Sequence, residues 1–157
     1  MSSVTSLLNE KRVFANLHAE NKQQVLNTLI LSFRDEVSDE ELKAIREAVF
    51  TREKIMSTGV GKGLAIPHGK AEGVTKHYGA FAVLETPIDY DSVDNSPVSI
   101  IFMLAGPKSG NRSHIKMLSR ISRLMNKDSF REQLKNNNSS IEILNLLQKY
   151  EQVYYGG

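Results

Sequence analysis

The 157-residue sequence contains no cysteine. Thiol nucleophiles, cysteine-ligated zinc, iron–sulfur clusters and any disulfide framework are therefore excluded. No stretch approaches the roughly 18 apolar residues of a membrane span. Where a signal peptide would be apolar, the chain reads Asn9-Glu10-Lys11-Arg12. A cytoplasmic protein without direct membrane insertion is expected. Neither sign of charge is in large excess: twenty Lys+Arg face eighteen Asp+Glu, for a net +2. The pI of 8.8 is too mild for a nucleic-acid footprint, so nucleic acid is not an expected partner. Internal repeats and linkers are absent as well. A chain of this length can bury on the order of 70% of its unfolded surface, so no metal or disulfide is needed to hold a core. One domain over residues 1–157 is expected, with a core over about 7–150 and a tail over 151–157.

The residues that are present divide the chain cleanly. Asn21 with Gln24 resembles a capping box, and Val25, Leu26, Leu29, Ile30 and Phe33 follow on one helical face. Ser38 with Glu41 opens a second helix, and the spacing of Leu42, Ile45 and Val49 carries it to about Phe50. Segment 51–77 then reads as an ordered loop region, with glycine at 59, 61, 63, 69 and 73. Two apolar runs, from Tyr78 to Leu84 and from Val98 to Ala105, read as strands, the second covered on both faces. Val13 to Leu17 and Leu64 to Ile66 are shorter strand candidates, and Thr86 to Pro97 reads as a surface excursion. Beyond Gly110, Ile115, Leu118, Ile121 and Met125 form a helical stripe, while Asp128 and Ser139 read as caps of two last helices. The fold implied is α/β: a central mixed sheet of about five strands with helices on both faces.

The glycine-rich stretch invites a nucleotide reading that its spacing refuses. Lys62 is followed by Gly63 rather than Ser or Thr, and Gly59, Gly61 and Gly63 miss the dinucleotide fingerprint. His68 is more informative. Pro67 fixes its own φ and offers no N–H, so the strand before it should stop and project His68 from its end. Gly69 behind it would let a phosphoryl group or a partner's backbone come close. A rigid, open imidazole suits a nucleophile. His114 should face inward at a helix N-terminus, where the positive dipole end disfavours its protonation and leaves it able to donate to a phosphoryl oxygen. His18 and His77 read as surface residues, and no histidine pair has metal-site spacing.

Arg52-Glu53, Ser57-Thr58-Gly59, Gly63-Leu-Ala-Ile-Pro-His68 and His114-Ile-Lys-Met-Leu118 stand in an order and spacing that carry a resemblance. From about Leu7 to Leu147 the chain resembles the enzyme IIA domain of the bacterial phosphoenolpyruvate-dependent phosphotransferase system, in its fructose, mannitol and nitrogen-regulatory class. That resemblance implies a phosphocarrier in which His68 accepts a phosphoryl group from a phosphohistidine carrier such as HPr. Arg52 and His114 would then stabilise the group, Thr58 would add a hydroxyl, and neither metal nor cofactor would be required. The next partner would be a IIB domain or a regulatory target. Architecture favours the nitrogen-regulatory type; a sugar-specific IIA protein is the alternative, and a non-catalytic interaction module the second. For docking, Leu64, Ile66, Pro67 and Gly69 are expected to supply an apolar surface, with Lys62 and Lys70 as rim charges that steer the encounter.

Overall fold

The computed structural model describes residues 3–155. Strand β1 (Val13–Leu17) follows two short 3-10 turns, and helices α1 (Lys22–Leu31) and α2 (Asp39–Ile55) come next. Three short strands occupy the glycine-rich segment: β2 (Gly59–Gly61), β3 (Leu64–Ala65) and β4 (His68–Ala71). The long strands β5 (Tyr78–Ile88) and β6 (Val98–Pro107) precede helices α3 (Asn111–Leu124), α4 (Asp128–Lys135) and α5 (Ser140–Tyr155).

The sheet has six strands, one more than the sequence suggests, in the order β1-β5-β6-β3-β2, with β4 also pairing β6. It is mixed: β5 and β6 run antiparallel, whereas β1 pairs β5, and β3 and β4 pair β6, in parallel. Period-2 alternation along the long strands splits the core into two layers. Ala80, Ala82, Ile101 and Met103 face α1 and α2, meeting Val25, Leu29, Ile45 and Val49. Phe81, Val83, Ile100 and Phe102 face the other way, against Ile121, Phe130, Ile143 and Leu147 of the last three helices. Strand β6 is buried along its length up to Pro107, as a run with no polar alternation should be.

Side-chain caps set the first two helix starts. The Asn21 side chain accepts from the Gln24 N–H at 2.9 Å, and Ser38 and Glu41 form a complete capping box. Gln24 departs from the box pattern by accepting from the N–H of Glu20. Helix α2 runs past Phe50 to Ile55, beyond the end of its apolar stripe. Its last turn carries Arg52 and Lys54, which suit the negative end of the dipole, and Arg52 donates to the Met56 carbonyl at 2.7 Å. The cap of α4 is Lys127 rather than Asp128, which sits one residue inside and pairs with Arg131. Helix α3 is rotated from the stripe read in the sequence: His114, Met117, Ile121 and Leu124 are buried, and Ile115 points outward, 66% exposed. The region from Thr86 to Pro97 is no simple excursion, because β5 continues to Ile88 and Tyr90 is fully buried.

Residues 151–155 are not a tail; they form the last turn of α5, and 156–157 lie outside the described residues. Glu151 anchors this end. Its carboxylate accepts from the N–H groups of Val4 (2.9 Å) and Thr5 (3.0 Å) and from the hydroxyls of Thr5 and Ser3, and it pairs with Arg120 at 2.8 Å. Burial would raise its pKa, but these hydrogen bonds outweigh burial and hold it down to about 2. A carboxylate depressed on folding gives stability that is complete above its unfolded pKa and is lost as pH falls through its folded one. Glu151→Gln should therefore cost about 3 kcal/mol at pH 7. Urea unfolding should show the difference from the native chain shrinking between pH 4.5 and about 2. A difference that stays constant over that window would mean that the carboxylate charge is not what holds the terminus.

Candidate functional site

Strands β3 and β4 lie along the same side of β6 in one unbroken register: Leu64 pairs with Ile100, Ala65 with Ile101, His68 with Leu104 and Gly69 with Ala105. Pro67 interrupts the strand without ending it. It has no N–H to give the ladder, but its carbonyl keeps the strand on β6 by accepting from Leu104 N–H at 3.0 Å. His68 therefore opens β4 instead of hanging from a strand end, and it is more tightly placed for that. Its ring Nδ1 lies 2.9 Å from the Ile66 carbonyl. A carbonyl only accepts, so Nδ1 carries the proton and Nε2 keeps its lone pair. Burial lowers the pKa of His68, and Arg52 and Lys70 act in the same direction, against the Ile66 carbonyl and Glu53. The imidazole is neutral, and hence nucleophilic, near pH 7.

Two clefts meet at His68. The larger, about 680 Å³, is also lined by Arg52, Lys70 and His114; the smaller, about 400 Å³, by Arg52, Thr58 and Ile66. The His114 ring centroid lies 5.6 Å from that of His68. His114 is 3% exposed, and among the described residues neither of its ring nitrogens has a hydrogen-bond partner. Burial foremost, then His68, His77 and Lys70, push its pKa down to about 4. A neutral imidazole still has one N–H, here buried and unanswered beside the nucleophile. Lys70 ties β4 to the start of α3 through the Asn111 side chain.

Structure and sequence part company at several site residues. Gly69 is not open to a partner: α2 crosses directly over it, and a Cβ there would lie 2.8 Å from the Val49 nitrogen. Its small size serves helix–strand packing. Leu64, Ile66 and Pro67 are buried, so they cannot form a docking surface. Lys62 sits at positive φ in the turn joining β2 to β3, between Gly61 and Gly63, and lines neither cleft. The exposed apolar residues around His68 are Ile55, Met56, Val60, Val93 and Ile115. Thr58 is 3% exposed, and its hydroxyl donates to Glu53 instead of facing an open site.

That bond belongs to a buried network absent from the sequence reading. Glu53 pairs with Lys22 at 2.8 Å, accepts from Thr58 N–H at 2.8 Å and from the Tyr90 hydroxyl at 3.2 Å, and Lys22 lies over the Tyr90 ring. It fixes the end of α2 to the strand that follows, and with it the place of Arg52. Tyr90, an aromatic amid Asp, Asn and Ser, was its one sequence signal. His18 is a surface residue near Glu85, but His77 packs against His114, contrary to its sequence context.

Residues 6–150 match the family model for the phosphoenolpyruvate-dependent sugar phosphotransferase system, EIIA 2. The chain belongs to this EIIA family. It is 33% identical to a nitrogen regulatory protein of Bradyrhizobium diazoefficiens, over 92% of this chain and 94% of that protein. It is 30% identical to the fructose-specific EIIABC component of Bacillus subtilis, over 94% of this chain but only 23% of that protein. The crystal structure of the nitrogen regulatory protein IIA-Ntr from Neisseria meningitidis superposes with a TM-score of 0.83 at 31% identity, covering 92% of this chain and 98% of that one. As an EIIA domain the chain has a phosphotransfer role. Among the described residues, no helix is long and apolar enough to cross a membrane, and no three His, Asp or Glu side chains are grouped to hold a metal ion.

Proposed function

We propose that this EIIA protein is a histidine phosphocarrier in which Nε2 of His68 takes the phosphoryl group. The observation that supports it most directly is the Nδ1–H bond to the Ile66 carbonyl, which leaves Nε2 as the ring's nucleophilic atom. In the transfer, the Nε2 lone pair forms the new bond to phosphorus as the donor's phosphorus–nitrogen bond breaks and its electron pair returns to the donor nitrogen. The Nδ1 proton stays on Nδ1 throughout, hydrogen-bonded to the Ile66 carbonyl. Arg52, a planar guanidinium with donors to spare beyond its bond to Met56, and the free N–H of His114 stabilise the equatorial oxygens as the group passes.

The donor is a phosphohistidine carrier of HPr type, seated on the rim formed by Ile55, Met56, Val60, Val93 and Ile115, where two imidazoles can approach in line through phosphorus. Lys70 remains the basic group beside the nucleophile. The regulatory type is supported by the nitrogen regulatory relatives, whose length this chain spans to 94% and 74%. Sugar-specific relay is the second reading, supported by the likeness to the fructose component.

Incubation with phosphoenolpyruvate, enzyme I and a matched carrier should add one acid-labile, base-stable phosphoryl group per chain, with the phosphorus resonance of an Nε2-phosphohistidine. Phosphate on Nδ1, or none, would defeat the proposal. Offering the phosphorylated chain a fructose- or mannitol-type IIB domain separates the two readings: regulation predicts no rapid transfer, and sugar relay predicts it.

A further inference from the structure

Outside the groups used above, one feature combines buried polar atoms, close packing and a position near the reacting centre. The antiparallel pairing of Tyr78 with Ala105 puts His77, just before β5, opposite Gly106 of β6. A Cβ on Gly106 would lie 2.4 Å from a His77 ring carbon and 2.5 Å from its Nε2. Only glycine lets the imidazole lie down on the strand. There the His77 ring is 5.6 Å from that of His114, centroid to centroid, with the planes 31° apart.

Three ring nitrogens at this contact, His77 Nε2 and both nitrogens of His114, are buried and lack a hydrogen-bond partner. Leaving buried polar atoms unpaired is costly, and such a cluster in a native protein calls for a reason. Two imidazoles sharing an in-line N–H···N bond of about 3 Å have centroids a little over 5 Å apart. The observed separation is therefore within a small ring movement of that bond. Which nitrogen of a neutral histidine carries the proton is set by the partner of the other. Among the described residues no carbonyl or carboxylate hydrogen-bonds His114, and none of them but His77 is placed to select its tautomer.

We infer that His77 is a positioning residue for His114: its Nε2–H donates to one His114 nitrogen and so directs the other, protonated, nitrogen to the phosphoryl group on His68. The inference rests on the phosphocarrier reading for its consequence, though not for its geometry. Burial lowers the pKa of both imidazoles, which keeps both neutral near pH 7. The charged and titratable groups that line the cleft together with His114 are Arg52 and Glu47 from α2, His68 and Lys70 from β4, and Glu72 and Lys108. His77 does not touch the reacting atoms; it acts through His114.

Nitrogen-15 NMR of the unphosphorylated native chain at pH 7 should show His77 protonated on Nε2 and His114 in a single tautomer. In His77→Phe, which keeps a flat ring and removes both nitrogens, the His114 resonances should move toward a mixture of tautomers. Phosphoryl transfer to the same variant should fall about tenfold in kcat, as when an orienting partner of a functional histidine is lost, with KM for the carrier unchanged. His77→Gln, which can still donate, should recover part of the rate. His114 resonances identical in native and His77→Phe protein would overturn the inference. So would a native His77 with Nε2 unprotonated, a result that needs no variant to fold. Because these spectra involve no phosphate, a native chain that failed to take up phosphate would defeat the phosphocarrier reading and leave the His77 result standing.

Discussion

Replacing His68 with alanine is expected to abolish phosphoryl uptake from the carrier while leaving the protein folded. The first half follows from the bond that has to form. His114 and His77 are the other imidazoles nearby, but His114 is 3% exposed and His77 lines neither cleft at His68, so neither is placed to meet a donor histidine there. The second half follows from what the side chain contributes. His68 is half-buried and makes one hydrogen bond, to the Ile66 carbonyl, worth about 1 kcal/mol. Its backbone stays in the ladder with Leu104 whatever the side chain. Radiolabel transfer and thermal unfolding of the same preparation test both halves. Uptake by the alanine variant at a native level would move the nucleophile elsewhere, and an unfolded variant would show that His68 holds structure as well as chemistry.

How much of this was legible beforehand depends on the range of the interaction. Local signals read well: Asn21 and Ser38 cap where their side chains can reach the next turn, and the two apolar runs are the central strands. His68 and His114 stood out through neighbours close in sequence, and Arg52 through the spacing of the resemblance. Pro67 misled because the ladder passes through its carbonyl, and the N–H that this carbonyl meets belongs to Leu104 of β6, thirty-odd residues away. Gly69 misled for the same reason, since the atoms that need its small size belong to α2. His77 could not be found without the register that sets Tyr78 against Ala105. The docking residues were assigned to the apolar side chains nearest His68 in sequence, yet that strand is covered on both faces and buries them. The exposed rim is gathered instead from α2, β2, the β5–β6 connection and α3.

His114→Ala and Arg52→Lys are expected to slow transfer by about 10²–10³ each, the loss typical of removing one donor aimed at developing charge. The two should fail for different reasons. Alanine at 114 removes the buried N–H beside His68 and leaves a void next to His77, with the cleft open to water. Lysine at 52 keeps the charge, but a single ammonium cannot both hold the Met56 carbonyl at the end of α2 and present a planar pair of donors to the phosphoryl oxygens. KM for the carrier should change little in either case, because the exposed rim residues are untouched; the fall should appear in kcat. The variants should also be non-additive, since both act on the oxygens of one phosphoryl group. Stopped transfer assays at fixed carrier concentration, repeated for the double variant, measure this. Native rates in both single variants would mean that the phosphoryl group is stabilised by other residues of the cleft, with Lys70 the first to test.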